Sequence, residues 1–541
     1  MTLDDLFRRF ESLKAGRANF EEQWQQIAER VLPQMADFTS SRAPGERRTE
    51  RMFDATASLA AVKAVAAIQS FTTPSNQRYQ RLTTDDESLN RVQRVKAYFD
   101  EVTDILFRAR YSQRAGFESQ NGESMLQFFV FGTGLLFVDE DIKRQTLTYK
   151  SIHLGQAMLA EGPSGLVDTV YRCWQMSLRN IEARWPGKLP DALRNRLAQA
   201  PDDTVEVAHA TLPRDDYDPS QAGNRRFPIA CVYWLPGQKH LLQESGYHSW
   251  PYAVARYMTT PGEVYGRSPA WLAMSNIRVL NTMKRTTLAA AQKVADPPLL
   301  AAEDGVLGAF SQAPGYLNMG GLDASGTQLV KPLISGGDVR LSLEMMDKER
   351  EIIAGAFLMD VFRALVENPQ MTATQAMELL QERATVMAPI VGRIEAEGLG
   401  PQTERELDLL ARGNQLPPMP PELVEAQGEY RIEYTSPARK AMRSSEGIAI
   451  TRTLESVIPL AQVKPELLDV FDLDEAAREL GEINGMPAKL IRDAKAMAAI
   501  KADRANQQQA ASLLEAAPVV SQTAANLAKL QAAGGLQPGF A

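Results

Sequence analysis

Four groupings of side chains in this sequence have residue types suited to chemistry. Gly132-Thr133-Gly134, after Phe131, has the look of a phosphate loop, where successive backbone N–H groups cradle an anion. It lacks the Lys-Ser/Thr of a GxxxxGK[ST] loop and the third glycine of a dinucleotide fingerprint. It therefore reads as a helix-to-strand junction. His153, His209, His240 and His248 are the histidines. None stands at metal-ligand spacing from a Cys or Glu and no HExxH occurs, so they read as core or surface residues. Asp54 has the residue type of a general acid, but it heads an Ala-rich helix, where a carboxylate serves as an N-cap. Arg42, Arg47, Arg48 and Arg51 suit DNA phosphates or a neighbour's acidic surface and read first as a solvated loop. No Ser-His-Asp arrangement and no paired-carboxylate cluster can be assembled. The sequence thus argues against an enzyme, and no catalytic, cofactor-binding or metal-binding residue is expected.

Composition narrows the classes further. A chain of 541 residues needs more than one core. Its 44% hydrophobic and 23% charged content is that of an ordinary globular protein. No apolar run approaches the roughly 20 residues of a membrane span, and the N-terminal MTLDDLFRRFESLKAGR has no signal-peptide core. Cys173 and Cys231 alone imply no disulfide framework, which fits a cytosolic origin. A net charge of −8 argues against a protein that coats nucleic acid through a basic surface. It leaves open one that lets DNA pass, since each phosphate contact made in a conduit must be broken again.

The elements that must position these residues are mostly helical. Residues 2–32 read as one or two amphipathic helices (Leu6, Phe10, Leu13; Phe20, Trp24, Ile27, Val31) ended by Pro33. Phe53–Thr73 is an Ala-rich helix closed by Pro74, and helices over Arg91–Arg110 and Phe117–Phe131 follow. LLFVDED reads as a strand. From Gly165 to Tyr257 the pattern is an antiparallel sheet packed by Trp174, Trp234, Tyr252 and Tyr257. The organising stretch is Tyr265–Leu365: a long helix, a Pro/Gly-broken excursion and a second long helix. Ser268 is a natural N-cap with Pro269 at N1, and the helix runs unbroken to Asp296-Pro297-Pro298, roughly 40 Å at 1.5 Å per residue. Ile277, Leu280, Ala291 and Val294 are expected on one face, with Arg278, Arg285 and Gln292 on another. Val339–Leu365 brings the chain back. Thr372 restarts a helix after Asn368-Pro369, with Gln375 at the capping-box position, and Pro389 should kink it. Leu416–Pro421 is a stiff linker, Arg431–Tyr434 a strand, and residues from about 444 are helical.

These blocks resemble, in order, those of podovirus-type phage portal proteins, the head-to-tail connector family. The entry Gly266-Arg267-Ser268-Pro269, the mid-helix Leu280-Asn281 and the closing Pro297-Pro298 are similar to that family's motifs. So are Asp54-Ala55-Thr56 with Thr73-Pro74-Ser75, and the Gly132-Thr133-Gly134 junction. A further block matches at Met371, Thr372, Ala373, Gln375, Ala388, Pro389, Arg393, Glu397, Leu399 and Pro401, with Gln375 for the commoner Glu and Ala388 for Gly. Glu433-Tyr434-Thr435-Ser436-Pro437 and Ala441, then Asp472 to Pro487, extend the resemblance over roughly Trp24 to Pro487.

The resemblance implies an α+β, predominantly helical portal-type subunit that assembles as a ring. Its parts would be a wing (1–264), first stem helix (265–296), clip (297–338), second stem helix (339–365), tunnel loop (366–371), a kinked helix returning to the wing (372–443) and a helical crown (444–541). It implies a dodecameric ring at a capsid vertex, the conduit for DNA packaging and ejection. Its partners would be further copies of itself, double-stranded DNA in transit, terminase, tail adaptors, scaffolding and major capsid proteins, with no membrane. The location would be the virion, and the host cytoplasm during assembly. Arg363, Glu367, Asn368 and Met371 are the tunnel-loop candidates, and Arg278, Arg285 and Lys293 the channel candidates on the stem, with intersubunit salt bridges as their other fate. Gly266, Ser268, Pro269, Asn281, Pro297, Pro298, Thr372, Pro389, Tyr434, Ser436 and Pro437 are structural motif positions. The alternative is a ring-forming head-completion or adaptor protein without DNA gating.

Overall fold

The structure, a computed structural model, describes residues 3–40, 43, 45–90, 92–301, 311, 313, 315–322, 324–332, 339–361, 385–426, 428–461, 470–483, 497, 499–504 and 506–507. It divides into two compact units. The first comprises Met1–Arg81, Thr103–Pro417 and Tyr434–Ser445, the second Leu82–Val102, Pro418–Glu433 and Glu446–Ala541. The fold is mixed α+β and mostly helical, as its sequence patterns require.

In the first unit, α1 (Leu3–Gly16) and α2 (Ala18–Val31) are separate amphipathic helices, and Pro33 ends the second in a short 3-10 turn. The Ala-rich α3 spans Thr56–Thr72. After α4 (Gln93–Arg110), which belongs to this unit from Thr103 onward, α5 (Phe117–Phe131) supplies the centre of the main core, with Phe128, Phe129, Val130 and Phe131 all buried. It ends at Gly132, whose φ of +87° suits a residue without Cβ. The chain turns there into β2 (Thr133–Asp141). A first strand, β1 (Gln80–Thr83), precedes it. β2 pairs antiparallel with β3 (Thr146–Ser151) and β9 (Tyr252–Arg256).

Between them lies an antiparallel five-stranded sheet ordered β4 (Ala157–Glu161), β5 (Val167–Ser177), β6 (Thr204–Pro213), β7 (Ile229–Leu235) and β8 (His240–Tyr247). Strand side chains alternate between faces, and here both faces are covered. Ala208, Ala210, Val232 and Trp234 pack under Leu6 and Phe10 of α1. Val207, Tyr233 and Leu235 pack under α6 (Leu178–Arg184) and α7 (Asp191–Gln199). Trp234, Tyr252 and Tyr257 are buried as expected and Trp174 partly so.

The hairpin differs from its sequence pattern at both ends. A short turn of helix, Pro269–Leu272, is separated from α8 (Met274–Ala295) by Ala273, whose N–H bonds back to Pro269. Only the first part of α8 is buried: Ile277, Leu280 and Asn281. Ala291 and Val294, expected on that same face, are exposed. β10 (Leu299–Ala301) and β11 (Val330–Pro332) pair antiparallel at the far end. The returning helix α9 covers Val339–Ala356, is interrupted by a turn at Phe357-Leu358 and resumes over 359–361; residues 362–365 lie outside the described residues. Phe357 is fully buried there and Leu358 takes φ +58°, so burial of the ring holds a turn that a leucine would otherwise avoid.

Pro389 lies inside the helix over 385–393, and the irregular turn falls later, at Ile394–Leu399, which is π-helical. Its cause is Pro401. Gly400 N–H reaches Glu395 O, one residue further back than in an α-helix, and the wider turn accommodates a proline that has no N–H to donate. α10 (Gly400–Arg412) continues it, lined by buried Thr403, Glu406 and Leu410.

The second unit contains the strand β12 (Arg431–Tyr434) up to Glu433, the later part of α11 (Pro437–Ala461) and α12 (Leu473–Ile483). Leu416–Pro420 holds no helix or strand, Pro420 is extended, and Pro421 opens the short helix Pro421–Glu425. No helix among the described residues is long and apolar enough to cross a membrane.

Candidate functional site: the helical hairpin and its anchorage

The hairpin leaves the body through two glycines that touch. Gly132 ends α5 and Gly266 precedes the hairpin. A Cβ on either would collide with the other's carbonyl oxygen. The contact is stitched by Tyr257 N–H to Gly132 O at 2.9 Å, Gly266 N–H to Thr133 Oγ1 at 2.9 Å and Arg267 N–H to Met258 O at 2.7 Å. The glycines that resembled a phosphate loop thus serve close backbone packing. Ser268, fully buried, accepts from Trp271 N–H at 2.9 Å, with Pro269 at the first helical position.

About two turns into α8, Asn281 is its anchor. Its Oδ1 accepts from Phe53 N–H at 2.6 Å and Asp54 N–H at 3.1 Å, and its Nδ2 donates to Ile277 O at 2.8 Å. Asp54 then accepts from Thr56 N–H at 2.9 Å and Thr56 Oγ1 at 2.5 Å. It sits one residue before the cap position, which Ala55 occupies, so it holds the helix start from outside rather than as the N-cap itself. Its other oxygen accepts from Arg350 of α9 at 2.7 and 3.2 Å. Burial alone would raise the Asp54 pKa; the hydrogen bonds from Thr56 and Arg350 outweigh it and hold the carboxyl below its ordinary range. Asn276 donates to Glu349 at 2.8 Å and closes the base of the hairpin. Two motif blocks 227 residues apart, Asp54-Ala55-Thr56 and Leu280-Asn281, therefore form one joint with Arg350. Arg350 carried no signal in the sequence, because its partner lies 296 residues away.

Of the arginines in the loop after α2, Arg47 is exposed beside Thr49 of the same loop, while two reach acidic residues of the body. Arg48 pairs with Asp37 at 2.7 Å and donates to Gln34 O, while Arg51 pairs with Glu29 at 2.6 Å. Arg42 lies outside the described residues. Among the stem candidates, Arg278 donates to Gln26 of α2 and Arg285 stands over the Phe53 ring at 5.9 Å from its centroid. Lys293 is exposed in the last turn of α8, which Asp296-Pro297-Pro298 ends. Arg363, Glu367, Asn368, Met371 and Thr372 lie outside the described residues.

A second joint holds the π-turn. Tyr434 OH donates to Glu395 O at 3.0 Å, and Arg439 donates to the buried Glu395 carboxylate through Nε at 2.7 Å. Ser436, ahead of Pro437, accepts from Arg439 N–H at 3.3 Å as the cap of α11. Glu397 accepts from Arg256 N–H at 3.1 Å, from its Nε at 3.0 Å and from Arg393 at 3.0 Å. The histidines are structural. His153 accepts from Gly155 N–H, His209 stacks on Tyr233 at 4.2 Å, His240 meets Lys188 O and His248 abuts Phe227.

Among the described residues no group of three His, Cys, Asp or Glu side chains could hold a metal ion. The polar side chains gathered here fasten helix to helix and backbone to backbone, which is the work of a structural subunit. A family model of bacteriophage head to tail connecting proteins matches residues 3–491, and the chain belongs to that family. It is 29% identical over 539 residues to a protein of Bordetella phage BPP-1 described as a probable portal protein, covering 97% of this chain and 94% of that one. It is 26% identical over 547 residues to the portal protein of Salmonella phage epsilon15, covering 97% and 95%.

Proposed function

We propose that this chain is a portal subunit. It forms a ring of about twelve copies by heterologous, closing contacts, sits at one capsid vertex, and conducts double-stranded DNA during packaging and ejection. The observation that carries the reading is the joint of Asn281, Asp54 and Arg350, which ties both helices of a projecting hairpin to the body through blocks similar to those of portal proteins. On this reading residues 1–264 are the wing, α8 and α9 the stem, and 297–338 the clip that meets terminase and then tail adaptors. Residues 366–371 are the tunnel loop, 372–443 the return to the wing and 444–541 the crown. Arg363, Glu367, Asn368 and Met371 stand at the constriction, with Arg363 attracting phosphates and Met371 a flexible apolar plug. Lys293, at the far end of the stem, adds channel-facing charge. Arg278 and Arg285 lie instead on the flank that meets α2 and Phe53.

Electron-microscopy class averages of the purified chain, with native mass as a check, test this. The expected result is a ring of about a dozen copies with an axial channel wide enough for duplex DNA. A chain that stays monomeric even with scaffolding protein added overturns the reading. A ring with a closed centre favours an adaptor without DNA passage.

A further inference from the structure

Two flanks of the hairpin carry opposite charge. On one, arginines converge where α2, residues 45–55 and α8 meet. Arg30, Arg51 and Arg278 lie close enough to repel. Burial, then Arg278 and Arg51, lower the Arg30 pKa against the opposing pull of Glu29. Glu29 is the carboxylate among them, 2.6 Å from Arg51 and 3.8 Å from Arg30. Among the described residues Arg278 donates to the neutral amide of Gln26, and Arg285, seven residues on, stands over the face of Phe53. α8 from Met274 to Ala295 contains Arg278, Lys284, Arg285 and Lys293 and no acidic residue. Beside Arg278 and Arg285 stand Leu272 and Val279, also seven apart, 50% and 45% exposed.

The other flank is on α9. Met346 and Ile353 are buried against the body. Glu344 and Glu351 have the same seven-residue spacing and fall on nearly the opposite side of the helix, both exposed. Asp347 lies between them, bonded to Arg350 at 2.7 Å, and Lys348 lies alongside. Met345 and Ile352, again seven apart, are 50% and 52% exposed next to this acidic edge. Each flank is thus an apolar pair beside a charged pair, and the charges are complementary.

Their heights agree as well. The helices are joined at the far end by β10 and β11, and Asn276 faces Glu349, so they run antiparallel. Val279 then lies level with Met345 and Met346 and Arg278 with Asp347, while Arg285, level with position 340, stands about one turn beyond Glu344. A cyclic ring relates its copies by rotation without rise, so elements at one height meet.

We propose that these flanks are the two halves of one contact between neighbouring copies of this chain. Leu272 and Val279 pack on Ile352 and Met345 of the next copy, Arg278 faces its Asp347 within the Glu344–Asp347–Glu351 edge, and the long side chain of Arg285 reaches back about one turn to Glu344. The inference rests on the portal reading, which requires a ring but does not say which surfaces close it. The apolar pairs supply contact area, and the flanking charges set register and exclude wrong pairings.

The test uses full-length chains carrying R278E/R285E or E344K/E351K, each first matched to wild type by circular dichroism and thermal midpoint. Each variant alone sets like charges together at every contact, so half-assembly should need at least about tenfold more protein than wild type needs. Mixed in equal amounts, the two variants restore opposite charges at every contact, and rings should return near the wild-type concentration. Variants that each form rings as wild type does overturn the inference and leave the portal reading standing. So does a mixture that fails to assemble while wild type succeeds. Normal rings of R278E/R285E with weakened retention of a duplex oligonucleotide would assign the arginine flank to nucleic acid instead. A wild type that forms no ring overturns both.

Discussion

In the five-stranded sheet, β6 and β7 bury Ala208, Ala210 and Trp234 on one side and Val207, Tyr233 and Leu235 on the other. In the hairpin, α8 buries Ile277 and Leu280 and leaves Val279, Leu288 and Val294 in water. Both regions are rich in apolar residues, so composition does not separate them. What separates them is whether the single chain supplies a cover. Sheet strands in one meander lie within reach of the helices that precede and follow them. A helix hairpin extending from a core has covered faces only near its base, and the rest must be covered by another molecule or stay wet. The sheet region therefore answers to the stability of one chain, and the exposed side of the hairpin does not.

The sharpest way to test that division is inside the body. Arg110 and Glu406 are both fully buried. Arg110 Nε donates to Glu406 at 3.0 and 3.2 Å, while Tyr149 OH and Gln402 Nε2 each donate to the same carboxylate at 2.7 Å. Burial alone would lower the Arg110 pKa; the Glu406 charge outweighs it and holds it well above its ordinary value. Glu406→Gln leaves that cation buried without a counter-charge. It should cost about 3–5 kcal/mol of folding stability, measured by urea unfolding. A loss below about 1 kcal/mol would mean that the body tolerates an orphaned charge, and the contrast with the hairpin would weaken.

A smaller effect is expected at the joint between the regions. The depressed pKa of Asp54 means that its contribution is fully present above the unfolded pKa of about 3.9 and is lost as pH falls through the lower folded value. Asp54→Asn keeps the shape and removes the charge that holds Arg350. It should cost about 1 kcal/mol near pH 7, and its deficit against wild type should shrink as pH drops below about 4. A deficit that grows on acidification would remove Asp54 from the joint. The joint couples hairpin to body, so the variant should also loosen α9, read as faster amide exchange in Val339–Ala356.

How much of this was legible depended on distance along the chain. Local signals carried the element order: Ser268-Pro269 opened a helix, Pro33 and Pro74 followed helix ends, and period-two alternation marked β5 to β7. The Gly132 junction was read from the residues missing from it. Motif resemblance also pointed to Asn281 and Ser436. What stayed hidden were partners across the fold. Nothing near Arg350 names Asp54, nothing near Gly266 names Gly132, and the π-turn follows from Pro401 where Pro389 drew attention. The break at Phe357-Leu358 was also illegible, because a leucine at positive φ is held by burial of its neighbour and not by its own preference. In the second half of α8 the shared apolar face is exposed, which its pattern does not show, for a related reason. Periodicity shows which residues share a side, but not whether anything covers that side.

That second half of α8 carries the smallest expected effect on the single chain. Leu288 and Val294 are 47% and 69% exposed, so replacing both with serine removes little that the isolated fold buries. Folding stability of the L288S/V294S chain should stay within about 0.5 kcal/mol of wild type. If neighbouring copies cover these side chains, each removes about 1.5–3 kcal/mol of burial from the contact, and half-assembly should shift at least about tenfold. A loss of more than about 1 kcal/mol in the monomer would mean that the hairpin's outer face stabilises its own chain after all. Unchanged stability together with unchanged assembly would leave that face idle, and the division between a self-sufficient body and a hairpin built for company would then hold only at the flank nearer α2.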